Sequence, residues 1–241
     1  MAAEVTLVTK GAEDLALART FGLAAADRDV TQWQIVRTGH RIELCSPASL
    51  GGLRLDIGPD AAPLRQRLRG ARPTDALPRA LGLHRRPERP SVVDATAGLL
   101  RDALVLAALG CRVTAVERVP ALAFLAAASL RGRDVAERLA VVSADAVPYL
   151  DGLAAADAPD VVYLDPMFAA PGRAQVKKEM QVCRLLVGDH DADEQALFAA
   201  ARRAARERVV VKRHAAAAPI EPRVSFAVDG ERVRFDVYLR S

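Results

Sequence analysis

The chain reads as an α/β protein built on a doubly wound, mostly parallel sheet, closed by a C-terminal antiparallel hairpin and preceded by a small α/β subdomain. Three observations predict this. Four times in the middle of the sequence an apolar, β-branched run ends in a carboxylate: Val92-Val93-Asp94, Val113-Thr114-Ala115-Val116-Glu117, Leu139-Ala140-Val141-Val142-Ser143-Ala144-Asp145 and Val161-Val162-Tyr163-Leu164-Asp165. Short continuous apolar runs suit parallel strands covered on both faces by helices. Helix-patterned segments alternate with these runs, as right-handed crossovers require. Finally, two late strand-like runs split by Asp229-Gly230 have the form of a hairpin.

Taken in order, residues 5–8 predict a strand and residues 12–22 a helix that stops near Gly22. Strands follow at 33–37, 41–45 and 53–57, with Gly51-Gly52 marking a turn. An Arg-rich stretch with some helical spacing is broken by Pro73 and Pro78. Pro87 and Pro90 then bracket Glu88-Arg89, and the residue before a proline disfavours helix, so the boundary is expected near 85–90. This divides the chain into 1–85, the smaller subdomain with the Arg-rich segment, and 86–241. Beyond it, 102–109 predicts a helix that stops at Gly110, a fitting C-cap. Ala-rich helices are expected at 119–131 and 191–206, and late strands at 208–212, 224–228 and 233–239.

Composition excludes several classes. At 241 residues, 51% hydrophobic and 27% charged, the chain has ordinary globular proportions. No apolar stretch reaches the roughly 18 residues that span a bilayer, and Met1-Ala2-Ala3-Glu4 lacks the basic start of a signal peptide. Cys45, Cys111 and Cys183 are odd in number, widely spaced and form no CxxC, which points to the reducing cytoplasm rather than to disulfides or zinc. The four histidines form no metal-ligating pattern, so no metal is expected. Net charge is only +4, yet residues 65–90 alone carry +6 through eight arginines against Asp75 and Glu88. A basic stripe beside a catalytic domain suits nucleic-acid phosphates. Arg85, Arg86 and Arg89 in this stripe, with Lys177, Lys178, Lys212 and Arg213 near the expected cleft mouth, are the candidate RNA-binding residues.

In a parallel sheet, ligands bind beyond the carboxyl ends of the strands, so the four acids share one cleft. The first strand-to-helix turn, Asp94-Ala95-Thr96-Ala97-Gly98-Leu99-Leu100-Arg101-Asp102, has Gly98 but Leu100 where a second glycine would allow a pyrophosphate to approach. That argues against NAD and FAD. S-adenosylmethionine has no phosphate and tolerates such a loop. Glu117 follows Asp94 by 23 residues, near the spacing of a ribose-binding acid. Asp145, at the third strand end, is placed to accept from an adenine amino group. Asp165-Pro166-Met167-Phe168 resembles the Asn/Asp-Pro-Pro-Tyr/Phe signature of amino-group methyltransferases. Asp165 and the Pro166 carbonyl would accept from a base amine while Phe168 stacks on the base.

Together with Gly110-Cys111-Arg112-Val113, Glu117-Arg118, Val176-Lys177-Lys178-Glu179-Met180, Leu186-Val187-Gly188, Val209-Val210-Val211-Lys212-Arg213 and Arg234-Phe235-Asp236, these segments resemble the ribosomal RNA small-subunit methyltransferase J family. The resemblance is strong over about 91–240 and looser from Leu44 to Leu83. It implies a Rossmann-like class I fold, and methyl transfer from S-adenosylmethionine to N2 of a guanine in 16S rRNA, free or in the small ribosomal subunit. It also implies cofactor contacts at Arg101-Asp102, Glu117-Arg118, Asp145-Ala146 and Asp165, alongside the Asp94 and Gly98 loop. Family members usually carry glycine at the position of Leu100. Two other readings stand beside this one: an amino-group methyltransferase acting on another nucleic acid, and a non-catalytic RNA-binding assembly factor.

Overall fold

Short apolar runs, continuous in the central strands of the larger sheet, give a chain organised by two sheets. The computed structural model describes residues 4–39, 41–55, 62–166, 186 and 193–240. The smaller sheet consists, in spatial order, of β1 (Val5–Val8), β2 (Trp33–Thr38), β3 (Arg41–Cys45) and β4 (Arg54–Leu55). β1 runs parallel to β2 and the other pairs are antiparallel. The crossover between β1 and β2 contains α1 (Ala12–Thr20). The Arg-rich stretch forms two helices, α2 (Ala62–Gly70) and the short α3 (Ala76–Ala80), and the break between them contains Pro73. Pro78 does not interrupt α3, because it lies in the first turn, where its missing N–H has no carbonyl to meet.

From residue 91 the chain alternates as expected. The strands are β5 (Ser91–Asp94), β6 (Arg112–Glu117), β7 (Leu139–Ser143), β8 (Val161–Leu164), β9 (Arg208–His214), β10 (Phe226–Asp229) and β11 (Val233–Leu239). Their spatial order is β10-β11-β9-β8-β5-β6-β7. Strands β5 to β9 pair in parallel, while β11 lies antiparallel between β9 and β10. This is a doubly wound, Rossmann-like sheet with a C-terminal antiparallel hairpin. The helices are α4 (Arg101–Ala108), α5 (Pro120–Leu130), α6 (Ala146–Asp151) and α7 (Glu194–Ala204). The run expected to continue as strand to Asp145 ends at Ser143, because Asp145 turns the chain and caps α6 through its own carboxylate.

Strand alternation divides the core between the two faces of the large sheet. Val92, Val161, Tyr163 and Val210 belong to one apolar cluster, and Val93, Val162, Leu164, Val209 and Val211 to the other. The first cluster extends through α4 and α5 into Leu7, Ile35 and Leu44 of the small sheet. Helix α5 is apolar on nearly every face, since it packs against strands of both sheets. Phe124 on α5 meets Phe21, just past α1, edge to face at 6.2 Å between ring centroids. Among the described residues no helix is long and apolar enough to cross a membrane, and no group of three or more His, Cys, Asp or Glu forms a metal site.

Candidate active site

The parallel register places successive strand ends side by side. Asp94 ends β5 opposite Ala115 and Tyr163, and Leu164 pairs with Val211, so Asp165 and Lys212 follow as neighbours. The turn after β5 is wired to its surroundings through the backbone. The Ala95 N–H donates to the Tyr163 carbonyl at 3.0 Å and the Ala97 N–H to the Val116 carbonyl at 3.1 Å. Thr96 accepts the Asp165 N–H on Oγ1 at 2.6 Å, joining the turn after β5 to the end of β8. Gly98 has φ +49°, and a Cβ placed there would find no atom nearer than 3.8 Å, so the turn leaves open space at this point. Leu100 has φ +55°, the only positive φ among described non-glycine residues, and its side chain is fully buried. The left-handed geometry for which a glycine is suited is therefore kept here by leucine, at a cost of about 1–2 kcal/mol.

Glu117, 8% exposed, accepts the Val119 N–H on Oε1 at 2.7 Å and the Gly98 N–H on Oε2 at 2.9 Å. Burial pushes its carboxyl above the usual range, against the pull of these two N–H groups. Each oxygen keeps a further lone pair, so the pair of hydroxyls on a ribose can still be received.

The centre of the site is Asp102, in the first turn of α4. Its Oδ1 receives the Arg67 guanidinium from α2, while Oδ2 receives the Tyr163 hydroxyl at 2.6 Å and the Lys212 ammonium at 3.0 Å. Burial opposes its charge, but Lys212, Arg67 and the Tyr163 hydroxyl outweigh burial and hold the carboxyl down at about 2. Lys212 reaches on to Asp165 Oδ2 at 2.7 Å. Asp165 is raised, by its enclosed position first and by Asp102 as well, with Lys212 pulling the other way. Asp94 is 2% exposed and raised well above the carboxylate range by burial, then by Asp102. The Lys212 ammonium is stabilised upward: burial acts against it, and Asp102 and Asp165 overcome that effect.

The structure thus brings Asp94, Gly98, Asp102, Glu117 and Asp165 to one end of the sheet, with buried Pro166 following Asp165. Half-buried Arg101 and exposed Arg118 adjoin Asp102 and Glu117. Asp145 is at the next strand end, where its Oδ1 accepts the Val147 N–H at 2.9 Å, and half-buried Ala146 begins α6. Lys212 differs from its expected place on a phosphate surface, because two carboxylates already hold its ammonium inside the site. Arg213 donates to the Ala218 carbonyl at 2.8 Å and to Glu194 at 3.3 Å. The Arg-rich stripe expected beside the catalytic domain is divided. Arg67 enters the site, whereas Arg85, Arg86 and Arg89 lie toward the opposite ends of the strands. There Arg86 pairs with Glu207 and Arg89 donates to the Leu83 carbonyl at 2.8 Å. Phe168, Lys177 and Lys178 lie outside the described residues. Sequence reading missed Thr96, Tyr163 and Arg67; the hydroxyls of Thr96 and Tyr163, polar groups in an otherwise apolar turn and strand, were the available signal.

Three carboxylates, Asp94, Asp102 and Asp165, gathered with two cations leave an acidic lining, and Glu117 adds a carboxylate with spare acceptor capacity. These residues fit S-adenosylmethionine, which carries a sulfonium cation and a ribose. The comparisons agree. The family model "Putative SAM-dependent methyltransferase" matches residues 16–240. A crystal structure of a SAM-dependent methyltransferase from Neisseria gonorrhoeae aligns with 98% of this chain and 95% of its own, at 28% identity and a TM-score of 0.74. Fold and site together define a class I methyltransferase, an enzyme whose cofactor is S-adenosylmethionine. Relatives named ribosomal RNA small subunit methyltransferase J are 42% identical in Thioalkalivibrio sulfidiphilus, over 93% of this chain and 91% of that protein. In Pseudomonas aeruginosa the figures are 42%, 90% and 85%. The chain belongs to the ribosomal RNA small subunit methyltransferase J family.

Proposed function

We propose that this enzyme transfers a methyl group from S-adenosylmethionine to the exocyclic N2 of a guanine in 16S rRNA, free or within the small ribosomal subunit, in the cytoplasm. The observation that carries this is Asp165-Pro166 at the end of β8, fixed by Thr96 and Lys212 beside the cofactor-side acids. The names of the relatives supply the RNA. In this reading residues 86–241 are the catalytic domain and residues 1–85 the smaller subdomain.

When bound, the cofactor supplies an electrophilic methyl group on sulfur. Glu117 holds the ribose hydroxyls, and Asp94, Gly98, Arg101, Asp102 and Arg118 line the same end of the sheet. Asp145 and Ala146 border the adenine. An exocyclic base amine is a weak nucleophile, since its lone pair is delocalised into the ring. Alignment and acceptance of its N–H groups therefore do most of the protein's work. Lys212 occupies Asp165 Oδ2 and leaves Oδ1 for the amine. The proton shed as the new N–C bond forms passes to Oδ1, whose carboxyl is raised toward the range of a useful base. The Pro166 carbonyl accepts the second N–H, and Phe168 stacks on the base.

The test is a map of methylated guanines in ribosomal RNA from a strain lacking the gene, with and without its restoration. One guanine that loses its N2-methyl and regains it with the wild-type gene, but not with the Asp165→Ala gene, is the expected result. Unchanged rRNA methylation, with activity of the purified protein on DNA, would overturn the choice of substrate.

A further inference from the structure

A second cleft opens at the opposite end of the large sheet's strands, under β9, β11 and β10. It encloses about 520 Å³, and its lining includes Arg79, His84, Arg85, Arg208, Phe226 and Leu239. Arg208 begins β9 and Lys212 follows four residues along it, so about 13 Å of strand separates this cleft from the catalytic acids.

Its electrostatics are unbalanced. Arg86 and Glu207 neutralise each other, which leaves Arg79, Arg85 and Arg208 around the cleft. Arg79 and Arg85 are exposed and have no ion-pair partner among the described residues. Arg208 packs against Gly82, whose φ of +86° favours glycine and where a Cβ would meet its guanidinium at 3.0 Å. Even so, Arg208 is poorly satisfied. Its Nε is the one buried side-chain nitrogen or oxygen without a hydrogen-bond partner among the described residues. Nη1 is 3.3 Å from the Ala80 carbonyl, and Nη2 is 3.9 Å from Glu207. A buried unpaired donor is rare in native proteins and calls for an acceptor. The arginine is pushed down in pKa by burial and then by Arg86, and His84 by desolvation and then by Arg85, Arg79 and Arg208. Like charges thus crowd this concavity, with Glu207, already paired with Arg86, only 3.9 Å from Arg208 as a partial counterweight. Beside them stand Phe226 and Leu239, each 41% exposed, two of the four large apolar side chains most open to solvent among the described residues.

We propose that this cleft binds the RNA substrate at a second point, with backbone phosphates on Arg79, Arg85 and Arg208 and an unpaired base on the Phe226 ring. Arginine forks match phosphate oxygens and aromatic faces stack bases, so the pairing of these two features favours a nucleic acid over an acidic protein. The inference rests on RNA being the substrate and adds where a remote part of that RNA is held. Cations here position the strand without reading its sequence.

Fluorescence anisotropy of the full-length protein with a labelled single-stranded segment of small-subunit rRNA, titrated with salt, tests this. Arg79→Gln/Arg85→Gln should weaken binding and lower the slope of log affinity against log salt by about 1.4, the loss of two single-strand phosphate contacts. Phe226→Ala should weaken binding by roughly tenfold while the slope stays put. All three positions are exposed, and unchanged S-adenosylmethionine affinity by calorimetry verifies folding. Wild-type affinity and slope in both variants would overturn the cleft while leaving RNA as the substrate. The same holds if polyglutamate binds the wild type, fails to bind the double variant, and RNA affinity is unaltered. A wild-type protein that binds no RNA at all would overturn the functional reading itself.

Discussion

Lys212 Nζ lies 2.7 Å from Asp165 Oδ2 and, through the same ammonium, 3.0 Å from Asp102. The acid at the end of β8 and the acid at the head of α4 are therefore joined by a single ammonium, and a change at either is felt at the other.

Asp165→Ala should lower turnover by about 10²–10⁴-fold, the usual worth of a positioned acid or base. Rates must be measured at saturating S-adenosylmethionine, because removing this carboxylate frees Lys212 toward Asp102. Near-normal turnover would show that other residues hold the amine.

Glu117→Gln and Glu117→Ala separate binding from folding. Either change should weaken S-adenosylmethionine by about 1–3 kcal/mol in calorimetry, the cost of losing hydrogen bonds to a charged group. Glu117→Gln keeps an oxygen for only one of the Gly98 and Val119 N–H groups and turns its NH2 toward the other, whereas Glu117→Ala strips both acceptors, so both should melt below wild type and Glu117→Ala lowest. Unchanged affinity in both variants would remove the ribose role.

Asp102 makes stability depend on pH in a direction that can be worked out. Its carboxyl falls from 3.8 to about 2 on folding. A group lowered in this way stabilises the fold above its unfolded value and loses that contribution as pH falls toward 2. The shift corresponds to about 2 kcal/mol. Urea melts should therefore show Asp102→Asn less stable than wild type by about that amount at neutral pH, with the gap closing below pH 4. A gap that is constant with pH would mean that Asp102 matters through packing and hydrogen bonds alone.

Leu100→Gly sets two effects against each other. Glycine relieves about 1–2 kcal/mol of left-handed strain, but losing a fully buried leucine costs roughly 3–5 kcal/mol. The variant should be less stable in chemical denaturation, with S-adenosylmethionine affinity near that of wild type because the loop conformation is the same. A more stable variant would show that the strain exceeds the burial.

Much of this was legible in the chain. Asp94, Glu117 and Asp165 were found from apolar period and strand-end position, two properties that depend on local sequence. The lateral order of strands depends on packing, so nothing local announced that β9 would lie beside β8 and bring Lys212 to Asp165. Arg67 was harder still, because a helix in an arginine-rich segment presents several equivalent cations, and only tertiary docking selects the one that meets Asp102. Helix α6 was missed because Asp145 serves both as strand end and as helix cap, and the first reading obscured the second.

The Arg67–Asp102 pair has a consequence for how the enzyme can be divided. Asp102 is held ionised by one cation from the catalytic sheet and another from a helix that precedes that sheet. A fragment beginning at β5 would retain every strand-end acid and still have an altered charge balance among them. The preceding helix thus tunes the charge of the candidate site, and transplanting the sheet alone onto another recognition unit would require a replacement for that one guanidinium.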